Sequence, residues 1–215
     1  VARRAAAARL SAEALAELRG LAMPGVRFEV QVTQVEDPAG VPVNGRRYAF
    51  DRTGVDRVTF LVSPNPGEPL KPVARIASGG ETARIMLALK SALAAADATP
   101  TLIFDEVDVG VGGRSGRVIG EKLWALSANR QVLCITHLPQ VACFGDVHWY
   151  IEKRVERRDS TERTVTTVKR LSEAERLDEL SQMLGATGEA ARQSGAELLQ
   201  EAMRWKNGRK QAQSA

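Results

Sequence analysis

The chain has 215 residues, with 30 lysines and arginines against 26 aspartates and glutamates, which gives a formal net charge of +4. Its length is enough to bury a sizeable core, and its 44% hydrophobic and 26% charged residues exclude a disordered or collagen-like chain. No stretch approaches the roughly 18 apolar residues of a membrane span, and two cysteines cannot build a disulfide framework, so we expect a cytoplasmic protein without a membrane partner. A first residue of Val1 rather than Met predicts a processed product or a piece of a longer protein.

The first segment predicts a helix. Residues 2–19 contain neither Gly nor Pro, and Leu10, Ala14 and Leu18 recur at four-residue steps. This narrow apolar stripe is typical of a surface helix packed on its own domain, and also of the end of a coiled-coil arm. Fewer than three heptads are present, so the pattern leaves both interpretations open.

The second segment predicts an antiparallel sheet. Apolar and polar residues alternate over 26–33, as in a half-buried strand. Turn residues at 37–40 and at Asn44-Gly45 separate this strand from short strands expected at 47–51 and 57–62.

From Ser78 onward, helical and strand patterns alternate. The predicted elements are a helix at 79–96, a strand at 101–107, a helix at 114–128, a strand at 131–136, a hairpin of strands at 147–153 and 163–171, and helices at 173–184 and 188–205. The two apolar strands between helices indicate a parallel sheet that is buried on both faces. The predicted fold class is therefore α/β, with a parallel sheet core and an antiparallel β part.

Two acids follow the first of these apolar strands. Asp105 and Glu106 are expected at the carboxyl end of the strand, where open α/β sheets bind ligands. Neighbouring side chains on a strand point to opposite faces, so one acid can hold Mg²⁺ while the other faces a reacting group. The alternative is a strand that simply ends in solvated acids.

The segment Ser78-Gly79-Gly80-Glu81 opens the helix before that strand. Ser-x-x-Glu is a capping box, which is a purely structural interpretation. A capping box does not need two glycines, each of which costs roughly 1 kcal/mol in a helix relative to Ala. Two glycines let another surface approach the backbone amides, and amides at the positive end of a helix can bind phosphate.

The second apolar strand ends close to His137. The pattern predicts that this imidazole reaches the same sheet edge as the two acids, where it can stabilise phosphate charge. A structural histidine is the alternative. Farther along the chain, Lys153, Arg154, Arg157 and Arg158 lie near the predicted hairpin turn, and they predict either a DNA contact or a solvated tip.

In this order, the segments resemble the C-terminal half of ABC-type ATPase heads of the SMC-like branch. Ser78–Glu81 resembles the signature motif, residues 102–106 the Walker B strand, Asp108 a D-loop residue and His137 the switch histidine. Four stretches resemble one family more closely than they resemble ABC-type heads in general. That family is the RecN family of bacterial DNA repair proteins, and the stretches are residues 63–72, 77–81, 105–111 and 136–142.

The resemblance implies a mechanism of ATP hydrolysis. Asp105 helps to hold Mg²⁺, Glu106 polarises the attacking water, and His137 contacts the γ-phosphate. The signature-like segment contacts ATP that is bound to the opposite head of a dimer. Its residues are Ser78, Gly79 and Gly80, the last two through their amides, and Glu81.

The resemblance also implies partners. No Gly-x-x-x-x-Gly-Lys-Ser/Thr loop occurs in the chain, and in the family this Walker A motif lies in the N-terminal half of the same protein, before a long coiled coil. Residues 1–23 are then the end of the coiled-coil arm, 24–207 the C-terminal half of the head and 208–215 a polar tail. We expect a DNA double-strand-break repair ATPase at the nucleoid, inactive without its N-terminal half; the alternative is a non-catalytic ABC-like binding or DNA-contact module.

Overall fold

The structure, a computed structural model, describes residues 2–158, 161–185 and 188–214. In chain order, the first elements are α1 (Ala2–Gly20), β1 (Arg27–Gln34), β2 (Glu36–Val43), β3 (Arg46–Tyr48), β4 (Asp56–Ser63), β5 (Lys71–Pro72), α2 (Gly79–Ala92) and β6 (Thr101–Phe104). The later elements are α3 (Gly113–Leu126), β7 (Gln131–Cys134), α4 (Pro139–Ala142), β8 (Trp149–Arg158), β9 (Thr161–Arg170), α5 (Glu173–Met183) and α6 (Glu189–Ser214). The chain divides into two compact units, the first reaching Val111 and including Leu126–Cys134, the second formed by the rest.

Helix α1 confirms the helix predicted at the start of the chain. It contacts β1 and α2, and its buried residues are Ala7, Ala14 and Leu18. The Ser11 hydroxyl accepts a hydrogen bond from the Val30 amide (2.9 Å), which ties the helix to β1. The helix therefore packs on the first unit, and its membership of a coiled-coil arm stays a prediction.

The first unit contains an antiparallel sheet in the order β1–β4–β5. In β1, Phe28 and Val30 are buried while Arg27, Glu29 and Gln31 are exposed, so the predicted alternation is confirmed.

The turn predicted at residues 37–40 lies inside a strand. β2 spans these residues, but its pairing with β3 shifts, so that Glu36 and Val41 both face Tyr48. Asp37 accepts a hydrogen bond from the amide two residues later (2.8 Å). The turn-forming side chains are therefore used to make a bulge, and the prediction of a strand-ending turn here is wrong.

Strands β6 and β7 pair in parallel, with Thr101 opposite Gln131 and Phe104 opposite Cys134. This register brings the carboxyl ends of both strands to one edge of the sheet. Together with the antiparallel sheets, the pair confirms the predicted mixed α/β fold class.

One face of this parallel pair is open, contrary to the prediction of burial on both faces. Leu102 and Phe104 are buried, whereas Ile103 is 69% and Leu133 is 44% exposed. The pair is a sheet of only two strands among the described residues. Nothing described in this chain covers the side that carries Ile103, which explains the difference.

A polar clamp holds the end of α2 to the start of β7. Asp97 accepts a hydrogen bond from Lys90 (Nζ–Oδ2 2.7 Å), and it lies 3.5 Å from the guanidinium of Arg130. The Lys90 hydrogen bond is the main cause that lowers the pKa of Asp97. Arg130, with a side chain only 5% exposed, also donates to the Ala94 carbonyl (2.8 Å).

The second unit contains α4, the β8–β9 hairpin, α5, α6 and most of α3. Its core is built from Cys143, Phe144, Leu180 and Ala202. Trp205 packs edge-on against Phe144, with ring centroids 5.7 Å apart.

Helix α6 is longer than the sequence pattern predicts, since it continues past Trp205 to Ser214. Lys206, Arg209 and Lys210 beyond Trp205 are good helix formers, and the helix continues through Gly208, so loss of apolar periodicity did not end it. None of the described helices has the length and apolar character that a membrane span requires.

Candidate functional site

The beginning of α2 carries the first group of predicted site residues. Ser78 is the N-cap, and its side chain accepts a hydrogen bond from the Glu81 amide (3.4 Å). The Thr82 hydroxyl donates to the Ser78 carbonyl (2.9 Å), which further fixes the first turn. The serine half of the predicted capping box is therefore formed.

The carboxyl end of β6 carries the second group, on a segment that we call the acidic loop (residues 105–111). Asp105 and Glu106 are exposed, and Asp105 accepts a hydrogen bond from the Glu106 amide (2.9 Å). Asp108 is only 1% exposed, so it lies inside the first unit. Glu106 has a φ of 58°, a left-handed conformation that costs a non-glycine residue on the order of 1 kcal/mol.

The two groups are in direct contact. A Cβ added at Gly79 would lie 2.0 Å from Oε2 of Glu106, so the carboxylate of Glu106 rests on this glycine. A Cβ added at Gly80 would lie 3.0 Å from the Val109 carbonyl oxygen and 3.3 Å from that of Glu106. Both glycines thus allow the close approach that the sequence predicted, and the approaching surface here is the acidic loop of the same chain.

Arg84 is a part of this region that the sequence analysis missed. It is 8% exposed, and its Nη1 donates to the Val109 carbonyl (2.8 Å). Its Nε is buried without a hydrogen-bond partner among the described residues, and burial lowers the pKa of the guanidinium. The signal in the sequence is its spacing: Arg84 lies four residues from both Gly80 and Ala88, which puts a charge on a buried helix face.

The acids of this loop also influence the end of β7. Burial, together with the charges of Asp108 and Asp105, raises the pKa of the Cys134 thiol to about 12. Burial therefore favours the protonated thiol over the thiolate at neutral pH.

An open groove of about 460 Å³ lies between α2 and β6. Its polar lining includes Ser78, Thr82 and Asp105, and its apolar lining includes the exposed side chains of Met86 and Ile103. The groove therefore leads from the open face of the parallel pair to the first turn of α2.

Two exposed acids, Asp105 and Glu106, stand at this edge of the sheet. No group of three or more His, Cys, Asp or Glu side chains that could hold a metal occurs within residues 2–158, 161–185 and 188–214. Mg²⁺ commonly uses one or two carboxylates and takes its other ligands from phosphates and water. The exposed carboxylate of Asp105 fits that pattern as one ligand.

His137 lies in the second unit, on the segment that leads into α4. It is exposed, and the segment is shaped by the Thr136 hydroxyl, which accepts a hydrogen bond from the Leu138 amide (3.1 Å). The far end of α4 is held by Arg176, which donates to the carbonyls of Cys143 (2.8 Å) and of two neighbouring residues.

The predicted DNA-contact residues belong to the β8–β9 hairpin of the second unit. Lys153 and Arg154 are exposed, and Arg154 forms an ion pair with Glu152 (2.7 Å). Arg157 and Arg158 pair through the backbone with β9, but their side chains lie outside the described residues.

The chain is similar in sequence to known proteins. No protein-family model matches it. It is 44% identical over 203 residues to the DNA repair protein RecN of Streptomyces coelicolor, covering 94% of this chain and 35% of that protein. It is 40% identical over 201 residues to RecN of Bacillus subtilis, covering 91% of this chain and 34% of that protein. The chain thus spans about a third of the length of these curated relatives.

Among solved structures, the chain is similar to Smc head domains. That of Pyrococcus yayanosii is 19% identical with a TM-score of 0.48, covering 81% of this chain and 29% of that one. That of Pyrococcus furiosus is 20% identical with a TM-score of 0.47, covering 82% and 38%. Both TM-scores are below 0.5, so the assignment depends on the sequence relatives: the chain belongs to the RecN family and corresponds to the C-terminal part of its members.

Proposed function

We propose that this chain is the C-terminal part of an ATPase head that acts in DNA double-strand-break repair. The observation that carries the proposal is the contact between the first turn of α2 and the acidic loop, where Glu106 rests on Gly79. This contact gathers the residues that resemble a signature motif and a Walker B end into one part of the first unit. The printed names of the relatives, DNA repair proteins, support the biological role.

In this proposal, Asp105 holds Mg²⁺ and Glu106 is the general base. Bound Mg²⁺ neutralises phosphate charge during phosphoryl transfer, a reaction that otherwise depends mainly on positioning. Glu106 is exposed at the end of β6, so water and nucleotide can reach its carboxylate. His137, exposed on the segment before α4, contacts the γ-phosphate.

The first turn of α2 acts on nucleotide that is bound to a second head. Ser78, the amides of Gly79 and Gly80, and the positive end of a 14-residue helix suit an anion. A phosphate that approaches Gly79 meets the Glu106 carboxylate first, because this side chain lies on the glycine. Dimerisation therefore moves Glu106 away from Gly79 and toward the attacking water.

Asp108 has a supporting part in the proposal. It is almost fully buried within the acidic loop, so its carboxylate shapes the loop from inside. A direct contact of this side chain with a second head is not part of the proposed mechanism.

The Walker A motif comes from the N-terminal half of the same protein. The open face of the β6–β7 pair supports this, because Ile103 and Leu133 are exposed there and parallel sheets are normally covered on both faces. Strands from another part of the protein would cover this face and bring the phosphate-binding loop to the sheet edge.

The cytoplasm, at the nucleoid, is the proposed location.

DNA is the third proposed partner, bound by the hairpin cations. The exposed side chains of Lys153 and Arg154 favour a phosphate-backbone contact. A passive binding module with an ABC-like skeleton is the competing function, and it needs only these cations and no catalytic residues.

The substitution Ser78→Arg separates the two functions. In the full-length protein, the added side chain blocks the phosphate site, so we expect ATP turnover to fall at least about 100-fold. Ser172→Arg is the matched control, because Ser172 is the N-cap of α5 and forms a complete capping box with Glu175. Both substitutions remove a helix cap worth about 1 kcal/mol, and only the first should stop turnover. Equal turnover in the two variants would contradict the proposed ATPase role of Ser78.

A further inference from the structure

The contacts of Arg84 carry an inference that rests on the proposed function and deepens it. We infer that Arg84 is a positioning residue: it fastens the acidic loop to α2 and so determines where Glu106 lies. Its side chain donates a hydrogen bond to the loop at Val109, so Arg84 acts on Glu106 through the loop.

Simple packing does not explain this arginine. It is 8% exposed, and one of its donors, Nε, is buried without a partner among the described residues. Burying a guanidinium is unfavourable unless it is well hydrogen-bonded, and an apolar side chain of similar size would fill the space without that cost. The hydrogen bond that Arg84 does make, to the Val109 carbonyl, is therefore the feature that accounts for it.

The loop is held to α2 at two levels of the helix. At the first turn, the carbonyls of Glu106 and Val109 approach Gly80. One turn later, Arg84 donates to the same Val109 carbonyl (2.8 Å). Within the loop, the Val109 amide donates to the Glu106 carbonyl (3.1 Å), so a shift of Val109 is passed directly to Glu106.

This arrangement couples phosphate binding at Ser78 to the position of the proposed base, Glu106. Ser78 and Arg84 lie on one rigid helix, separated by about 9 Å at 1.5 Å per residue. When phosphate of a second head binds at Ser78, any movement of α2 pulls on Val109 through Arg84. Arg84 thus makes the position of the base depend on the presence of the partner head.

The test uses Arg84→Met, which keeps an unbranched side chain and removes the guanidinium. In the full-length protein we expect kcat for ATP to fall about 10- to 100-fold. The KM for ATP should change by less than about threefold, because Arg84 is not one of the residues proposed to bind ATP. Arg84→Lys, which retains a donor, should recover part of the lost kcat. Hydrogen exchange at the amides of Asp108, Val109 and Val111 should become faster in Arg84→Met.

Arg130→Met is the matched control. Arg130 is also a buried arginine of the first unit that donates to a backbone carbonyl, but it clamps the other end of α2. We expect kcat and hydrogen exchange in the acidic loop of Arg130→Met to stay at wild-type values, whatever the change in its melting temperature. Equal kcat and equal loop exchange in the two variants would overturn the inference. If the wild-type protein hydrolyses no ATP, the proposed function fails, and the exchange comparison still decides whether Arg84 holds the loop.

Discussion

The acidic loop and the β8–β9 hairpin both carry charged residues of predicted function, but they are held in different ways. The loop lies against two glycines and a buried arginine, and Asp108 within it is 1% exposed. The hairpin extends its cations into solvent, and Ile151 (56%) and Val168 (58%), which face each other across the strands, are exposed as well.

The difference indicates two kinds of function. Catalytic groups must be held within a fraction of an ångström, and only packed surroundings provide that precision. A contact with phosphates of any sequence needs charge and tolerates mobile side chains. We therefore expect substitutions near the loop to change turnover strongly, and substitutions in the hairpin to change DNA affinity modestly and in a salt-dependent way.

The largest effect is expected for Glu106→Gln in the full-length protein. The amide cannot accept the proton of the attacking water, so turnover should fall about 10²- to 10⁴-fold while ATP still binds. ATP-bound dimers should then accumulate, as measured by light scattering coupled to size-exclusion chromatography. Glu29→Gln, an exposed glutamate on β1, serves as the control. Wild-type turnover in Glu106→Gln would remove Glu106 from the role of base.

A smaller effect is expected for Gly79→Ala. The new methyl group would lie 2.0 Å from the Glu106 carboxylate and must push it aside. We expect about a tenfold loss of turnover, because the methyl group also takes up space at Gly79 that the phosphate of the second head must reach. The melting temperature should not fall, because the displaced group is the end of a flexible side chain and Ala is favoured over Gly in a helix by about 1 kcal/mol.

Gly112→Ala is the control for this glycine. No heavy atom lies within 4 Å of the added Cβ at Gly112 in the structure. Turnover should therefore stay at the wild-type value. If Gly79→Ala also keeps full turnover, the contact between Glu106 and Gly79 has no catalytic consequence.

The smallest effect is expected in the hairpin. Replacing both Lys153 and Arg154 with Ala should weaken duplex DNA binding about 3- to 10-fold at low salt and reduce the salt slope by about 2. Thr166→Ala is the control, because Thr166 lies opposite Lys153 and carries no charge. Fluorescence anisotropy at several salt concentrations measures the DNA affinity and its salt dependence. An unchanged salt slope in the double variant would exclude these two cations as phosphate contacts.

Much of the fold follows from local patterns in the sequence. The alternation of β1 and the apolar runs of β6 and β7 identified their strands, and the helix starts predicted after Ser78 and at residue 173 are confirmed. The strands and helix starts could be predicted because hydrophobic periodicity and helix capping depend on residues that are close together in the chain.

Contacts between residues that are far apart in the chain could not be predicted in this way. The pair Gly79 and Gly80 signalled a close approach, but the partner, the acidic loop, lies more than twenty residues away. Arg84 was not identified from the sequence, because its hydrogen-bond acceptor, the Val109 carbonyl, lies 25 residues away in the chain. The open face around Ile103 was not predicted. An apolar strand indicates that both faces of the sheet are buried, but it does not indicate which part of the protein packs on each face.

The central claim is that this chain supplies one share of an ATP site and needs the Walker A share from the N-terminal half. The most direct test measures phosphate release by the purified chain, alone and after mixing with that half. The account predicts background release from the chain alone and restored turnover in the mixture, lost again with Glu106→Gln. Rapid ATP hydrolysis by the chain alone, as a monomer free of contaminating ATPases, would contradict it.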